Sequence, residues 1–297
     1  MVLLILIVGI TKQVIKALIA EHSFRPISGN WLSFGSQTVN VDKSTLINIC
    51  GQSCVDKLSL DTSTRHGAGS RYSDSSLIES LFSVSYKTVD KSAYESSNLV
   101  LDLSRPIPPE LESSYDFLYT GGCLDNVFSP ADVLINSSRL LNSNGRVLHY
   151  ESASRLLGAF TFVTAEWFLS YYAANNFLDC KVYLLCQTKP GLSRFDYDVH
   201  IFNYSHEFTR SKNLDYFRSG CSLPGIQYLL VVAEKGPSST CDVIPDQLQY
   251  LDSNSVDWPN IAKKYSYSKR PLLETSRTAQ IELPFLSDHY TYLGSCF

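Results

Sequence analysis

The stretch from Tyr115 to Tyr150, YDFLYTGGCLDNVFSPADVLINSSRLLNSNGRVLHY, constrains the fold more than any other part of the chain. Phe117-Leu118-Tyr119 is a short apolar run of strand character, closed by the glycine pair Gly121-Gly122. An acidic-aromatic loop follows, Asp125-Asn126-Val127-Phe128, with Phe128 expected in the core. Ser129 then stands where an N-cap belongs, Pro130 at the first helical position and Asp132 three residues after the cap. Val133, Leu134, Ser138, Leu140 and Leu141 recur at helical spacing. Gly145 is expected to stop the helix, and Arg146 to Tyr150 returns as a strand. Strand, loop, capped helix and strand make a βαβ unit, which crosses over right-handed and builds parallel sheet. Ligands of open parallel sheets bind beyond the carboxyl ends of the strands. The loop from Thr120 to Phe128 is therefore the first place to look for chemistry.

The rest of the chain repeats the alternation. Strands are expected at Trp31 to Phe34, Tyr86 to Val89 (ending at Asp90), Leu99 to Leu103, Cys180 to Cys186 and Ile226 to Ala233. Helices are expected from Lys43 to Cys50 behind an Asp42 cap, from Ser73-Asp74 to Phe82, and after a Thr164 cap through Trp167, Phe168 and Tyr171-Tyr172. Gln52 to Tyr72 reads as a long irregular connection containing Arg65 and His66. Counted with the strands at Phe117 and Val147, this predicts a doubly wound α/β fold with a seven-stranded, mainly parallel sheet. Lys189 to Pro224 reads as an insertion. The division expected is an N-terminal helical segment (1–30), an α/β domain (31–236) and a C-terminal appendage packed on it (237–297).

Several further segments match a known family. Tyr115-Asp116, Leu124 to Phe128, Pro130, Leu134, Arg139-Leu140-Leu141, Asn144-Gly145 and Val147-Leu148 resemble, in order and spacing, the second half of a class I S-adenosylmethionine-dependent methyltransferase domain. Leu101 to Pro108 resembles the segment of the preceding strand. Glu166-Trp167-Phe168 and Asp179 to Tyr183 resemble the helix and strand that follow. The resemblance spans about Trp31 to Gly236. It implies a Rossmann-like sheet whose last strand inserts antiparallel between its neighbours, and S-adenosyl-L-methionine as cofactor. Two positions depart from the family pattern. Asp125-Asn126 stands where many relatives carry Glu-His, and the first loop, Phe34-Gly35-Ser36-Gln37, has one glycine instead of a G-x-G-x-G run.

The resemblance also implies site roles. Gly35 and Ser36 would face the amino-acid end of the cofactor, Asp90 its ribose hydroxyls, and Asp102 and Leu103 its adenine. A carboxylate can accept two hydroxyl donors, which suits a ribose diol. Each residue has a plainer reading: a turn glycine at Gly35, a turn cap at Asp90, a backbone anchor for the Pro-rich turn at Asp102. Gly121 and Gly122 either let backbone approach the cofactor or mark a strand-to-loop turn. Three residues are candidate catalysts. Asp125 could accept a substrate proton or merely face a helix N-terminus. His149 and Glu151 alternate onto one face at the end of a strand, where a His beside a carboxylate could act as general base or be simply hydrogen-bonded. Methyl transfer needs no fixed base, because in-line displacement is helped mostly by proximity and orientation. Arg65 and His66 could contact an anionic group or be solvated.

Composition sets outer bounds. A net charge of −4 and the lack of a long basic run argue against a nucleic-acid binder. With the family resemblance, the acceptor expected is a small molecule or glycan. The eight cysteines, Cys221 among them, are expected to be buried small hydrophobes instead of disulfides, and Cys50 and Cys54 have no second pair at metal-ligand spacing. No metal is expected. Val2 to Ile10 is an apolar run preceding Lys12 and Lys16, the reverse of a signal peptide and shorter than the ~20 residues of a membrane span. Continued through Ile15, Leu18 and Ile19, it reads as an apolar-faced helix packed on the domain, with an interfacial membrane helix as the lesser alternative, and the chain as cytoplasmic.

Three functional classes remain. The first is methyl transfer from S-adenosylmethionine. The second is a methyltransferase-like binding or structural protein without catalysis, favoured by the two departures. The third is a nicotinamide-dependent oxidoreductase, which needs a G-x-G-x-x-G after the first strand; Gly67-Ala68-Gly69 provides a G-x-G without a preceding strand.

Overall fold

The computed structural model describes residues 9–154, 158–190, 197–204, 226–246, 258–265, 268–275 and 290–296. In chain order its helices are α1 (Lys12–Phe24), α2 (Lys43–Cys50), α3 (Gln52–Val55), α4 (Asp74–Leu81), α5 (Pro130–Leu140), α6 (Ala165–Ala174) and α7 (Trp258–Tyr265). The strands are β1 (Ser28–Phe34), β2 (Ser83–Asp90), β3 (Leu99–Val100), β4 (Tyr115–Gly121), β5 (Leu141–Ser152), β6 (Asp179–Pro190), β7 (Tyr197–Tyr204), β8 (Ile226–Glu234) and β9 (Tyr290–Cys296).

All nine form one sheet in the order β3-β2-β1-β4-β5-β8-β6-β7-β9. From β3 to β5 every neighbour is parallel. Strand β8 runs antiparallel between β5 and β6, as the family resemblance implies. The count corrects the expected seven. Strand β7 lies in the supposed insertion and pairs antiparallel with β6, and β9 comes from the supposed appendage to pair with β7. Tyr197 to Tyr204 carries the aromatic and β-branched residues that favour strands.

Adjacent residues on the central strands part to opposite faces, as strand geometry requires. Leu32, Leu118, Val147 and Leu229 join the core under α5 and α6, while Trp31, Phe117, Leu148 and Leu230 join the one under α1, α2 and α4. Both faces are therefore covered, which is why these strands read as unbroken apolar runs. On α1, Val14, Ile15 and Leu18 pack into the second core. The part of the N-terminal apolar run before Gly9 lies outside the described residues, as do 191–196 and 205–224 of the insertion. Among the described residues no helix is long and apolar enough to cross a membrane.

Local signals are met at three helix starts: Asp42, Ser73 and Thr164 accept from Thr45, Ser76 and Trp167 backbone amides. Three details differ from the sequence reading. Ser129 precedes α5 without a side-chain cap bond, because its hydroxyl donates to Asp132 Oδ2 at 2.5 Å. Helix α5 ends at Leu140 and the chain enters β5 directly, so Gly145 sits within a strand, where a Cβ would crowd Asn142 and Tyr115 carbonyls. The third strand shrinks to Leu99–Val100, because Asp102 turns the chain: Ser104 N–H donates to its Oδ1 at 3.0 Å and Arg105 N–H to its carbonyl at 2.9 Å. The connection read as irregular contains α3 and a β-bridge between Leu60 and Tyr72.

Candidate functional site

Strands β1, β2 and β4 end together at one edge of the sheet, and the loops after them enclose a cleft of about 920 Å³. That is the upper end of the range for small-ligand pockets, about 300–1,000 Å³. Gly35, Ser36, Asp90, Asp102, Leu103, Gly121 and Gly122, the residues expected at a cofactor, all line it. His66 lines it as well.

Three of the lining residues, Gly35, Asp90 and Asp102, are held by specific local devices. Gly35 adopts φ +74°, a conformation that side chains disfavour, and its N–H donates to Val89 O at 2.7 Å. A Cβ there would lie 3.8 Å from Asp90 Oδ2, so the carboxylate that ends β2 faces the first loop directly. The other oxygen of Asp90 accepts from Ser92 N–H at 3.1 Å. Asp102 pairs with Lys91 at 3.2 Å and caps its own turn, and these bonds hold its carboxyl below the usual range. Its turn-anchoring reading is thus realised within the cleft wall.

The glycine pair does something the sequence did not suggest. Gly122 (φ +69°) donates to Tyr150 O at 2.9 Å, so its amide is committed to the sheet. At Gly121 the space a side chain would take is filled by Gln37. Gln37 is buried and donates through Nε2 to Phe34 O at 2.8 Å, and its backbone N–H donates to Asp74 Oδ2 at 2.6 Å. Gln37 therefore fixes the single-glycine loop from inside.

A second loop straps the first. Glu95 and Ser96 take left-handed backbone (φ 55° and 59°), and Ser36 Oγ–H donates to Glu95 O at 3.0 Å. Arg65 N–H donates to Glu95 Oε1 at 2.7 Å, which ties the 59–72 connection to the same strap. Glu95 lines the cleft.

The three candidate catalysts do not line it. His149, Glu151 and Asp125 are all buried. Thr120 sits between the first two: its Oγ1 lies 2.7 Å from His149 Nδ1 and donates to Glu151 Oε1 at 2.6 Å. With the Thr120 proton used on Glu151, His149 Nδ1 donates to Thr120 and its Nε2 accepts from Tyr172 O–H, 2.6 Å away. Burial pushes His149 down to about 3 and Glu151 well above its ordinary value. Leu124 N–H donates to Glu151 Oε2 at 3.0 Å, so the carboxyl positions the turn Leu124–Asn126 beneath the cleft. The physical reason is the strand itself: β5 is central, covered on both faces, and its alternation aims these side chains into a core. Asp125 faces inward from the same turn, and its carbonyl accepts from Phe160 N–H at 2.7 Å.

Sequence reasoning missed the aromatic rim. Phe128, expected in the core, is 87% exposed, and Phe160 is 70% exposed. The two rings meet edge to face at 5.9 Å and both line the cleft. The signal available was faint: Phe160 and Phe162 alternate after Gly158 in a segment with no strand partner. Among the described residues no group of three or more His, Cys, Asp or Glu could hold a metal ion, and six cysteines are free.

No family model and no curated protein matches the chain. Solved structures do match. A phosphoethanolamine N-methyltransferase 2 from Haemonchus contortus is 11% identical with a TM-score of 0.39 over 74% of this chain, which spans about half (52%) of that protein. A SAM-dependent methyltransferase from Archaeoglobus fulgidus is 12% identical with a TM-score of 0.38, covering 76% of this chain and 95% of its own. A geranyl diphosphate methyltransferase in complex with SAM is 11% identical with a TM-score of 0.35, covering 75% and 85%. At such identities the cleft itself has to carry a functional reading.

Proposed function

We propose that the chain binds S-adenosylmethionine in the cleft at the ends of β1, β2 and β4 and transfers its methyl group to a small-molecule or glycan acceptor. The observation that carries this reading is one open cleft joining Gly35, Asp90, Asp102 and Gly121. The residues suit the cofactor. Asp90 Oδ2 is turned toward the first loop, where it can accept ribose hydroxyls. Asp90, Glu95 and Asp102 give that end an acidic lining that suits a sulfonium and an ammonium. When bound, the cofactor supplies an electrophilic methyl carbon. The chain's own part is to orient: Gln37 and the Glu95 strap hold the first loop, and Glu151 holds the turn after β4.

A non-catalytic binding role is the second reading, and one observation favours it: Asp125, His149 and Glu151 are withdrawn from the cleft, leaving no buried base at its surface. Calorimetric titration with S-adenosylmethionine, S-adenosylhomocysteine and NAD separates the classes. Saturable binding of the first two, with methyl transfer to an acceptor panel, is the expected result. Binding without transfer favours the second reading, and NAD binding alone overturns both.

A further inference from the structure

We propose that the aromatic end of the cleft is an acceptor subsite for an arylalkylamine, a flat ring carrying a protonated amine, and not for a phosphorylated, carboxylated or sugar acceptor. The proposal rests on the reading of the Asp90 end as the cofactor site. A single exposed phenylalanine needs no explanation, but two converging rings left in water at the mouth of a deep cleft do. Phe128 and Phe160 meet at an interplanar angle of 78°. Such an edge-to-face pair leaves room for a third ring to stack at an offset. The notch is built: Phe160 is fixed by its N–H bond to Asp125 O at 2.7 Å, and Phe128 leads directly into α5.

Charge selects among flat ligands. Asp132, on the first turn of α5, lines the cleft one turn beyond Phe128 and accepts from Ser129 Oγ–H at 2.5 Å. Over the whole cleft the carboxylates of Asp90, Glu95, Asp102 and Asp132 outnumber the cations of Lys91 and Arg105, and Lys91 is already paired with Asp102. An ammonium beside ring faces and carboxylates is attracted by both. A phosphate or carboxylate meets the opposite field.

The step balances without a buried base. The bound ammonium releases a proton to water at the open mouth. The nitrogen lone pair then forms the N–C bond to the methyl carbon, and the C–S bond breaks with its electron pair going to sulfur. The charge of the product ammonium again sits before Asp132.

The test uses the full chain and calorimetry with tryptamine, indole-3-acetate, phosphoethanolamine and glucose, each with and without S-adenosylhomocysteine. Tryptamine should bind at least tenfold more tightly than the other three. Phe128→Ala and Asp132→Asn should each weaken tryptamine at least fivefold, with S-adenosylhomocysteine affinity as the control for an intact fold. Indole-3-acetate binding as well as tryptamine, or a Phe128→Ala chain that binds tryptamine normally, overturns the subsite while the cofactor reading stands. Tryptamine binding that responds to Phe128 without any S-adenosylhomocysteine binding overturns the cofactor reading instead. Binding of neither overturns both.

Discussion

A Cβ placed on Gly121 would lie 2.2 Å from Gln37 Oε1, so the end of β4 and the first loop are packed to contact through a missing side chain. Gln37 cannot move freely, because its Nε2 donates to Phe34 O at 2.8 Å, and the same Cβ would also lie 2.9 Å from the Tyr119 ring. Gly121→Ala is expected to destabilise the fold by about 1–3 kcal/mol, the usual cost of overpacking. Adding Gln37→Ala should recover part of that loss, since it removes the clashing amide. Urea unfolding of the two single variants and the double variant measures this; strictly additive effects would show that the two residues do not meet.

Asp90→Ala is expected to weaken S-adenosylmethionine by about 1.5–3 kcal/mol, the contribution of hydrogen bonds to a charged group. Asp102→Ala should weaken it less, because that carboxylate is occupied by Lys91 and by its own turn. Equal losses for both, measured by calorimetry, would remove Asp90 from its special place.

Much of this arrangement was legible in the sequence, for identifiable reasons. The parallel half of the sheet could be read because its strands are covered on both faces and appear as apolar runs between capped helices. Asp90 could be placed because it ends a strand of that half, and Asp102 because it lies in the turn just after one. The roles of His149 and Glu151 could not: alternation says which residues share a face, but only the tertiary structure says whether that face meets solvent or α6. Gln37 was invisible for a similar reason, since its partner Gly121 lies far along the chain. Strand β9 escaped because its partner β7 is itself in an atypical segment. The exposure of Phe128 ran against composition, which assigns a large ring to the core by default.

Arg270 ties the C-terminal segment to the sheet. Its guanidinium bonds Glu21, Asp179 Oδ2 (2.9 Å) and Glu234 Oε2 (2.7 Å), and Arg146 adds a second bond to Glu21 at 3.2 Å. Burial raises Glu21, and the two arginines counter it. Arg270→Met removes the charge and leaves these carboxylates facing one another out of water. A loss of about 3–5 kcal/mol is expected. Arg270→Lys should lose nearly as much, because a point charge cannot reproduce the fork. A thermal shift of less than a few degrees for either variant would mean that the cluster is solvated or can rearrange.

The buried chain Tyr172–His149–Thr120–Glu151 makes two opposite contributions to pH dependence. His149 is held near 3, below its ordinary 6.5, so the folded state binds fewer protons than the unfolded one between those values. Its contribution to stability is fully present above about pH 6.5 and is lost as pH falls, at a slope of about 1.4 kcal/mol per pH unit. Glu151 is held well above its ordinary 4.5 by desolvation, so its contribution is present below that value and is lost as pH rises. The two signs can be separated by substitution. Relative to wild type, His149→Asn should gain stability as pH drops from 6.5 toward 4, because the variant has no buried base to protonate. Glu151→Gln should gain relative to wild type as pH rises from 4.5 toward 8. Urea midpoints taken at half-unit steps decide it: a variant whose profile runs parallel to wild type across its own window would show that the group titrates as if exposed. Thr120→Val should then bring the two residues under one test, since it removes the hydroxyl that receives His149 and serves Glu151. That change should cost about 1–3 kcal/mol for the buried donor left without a partner.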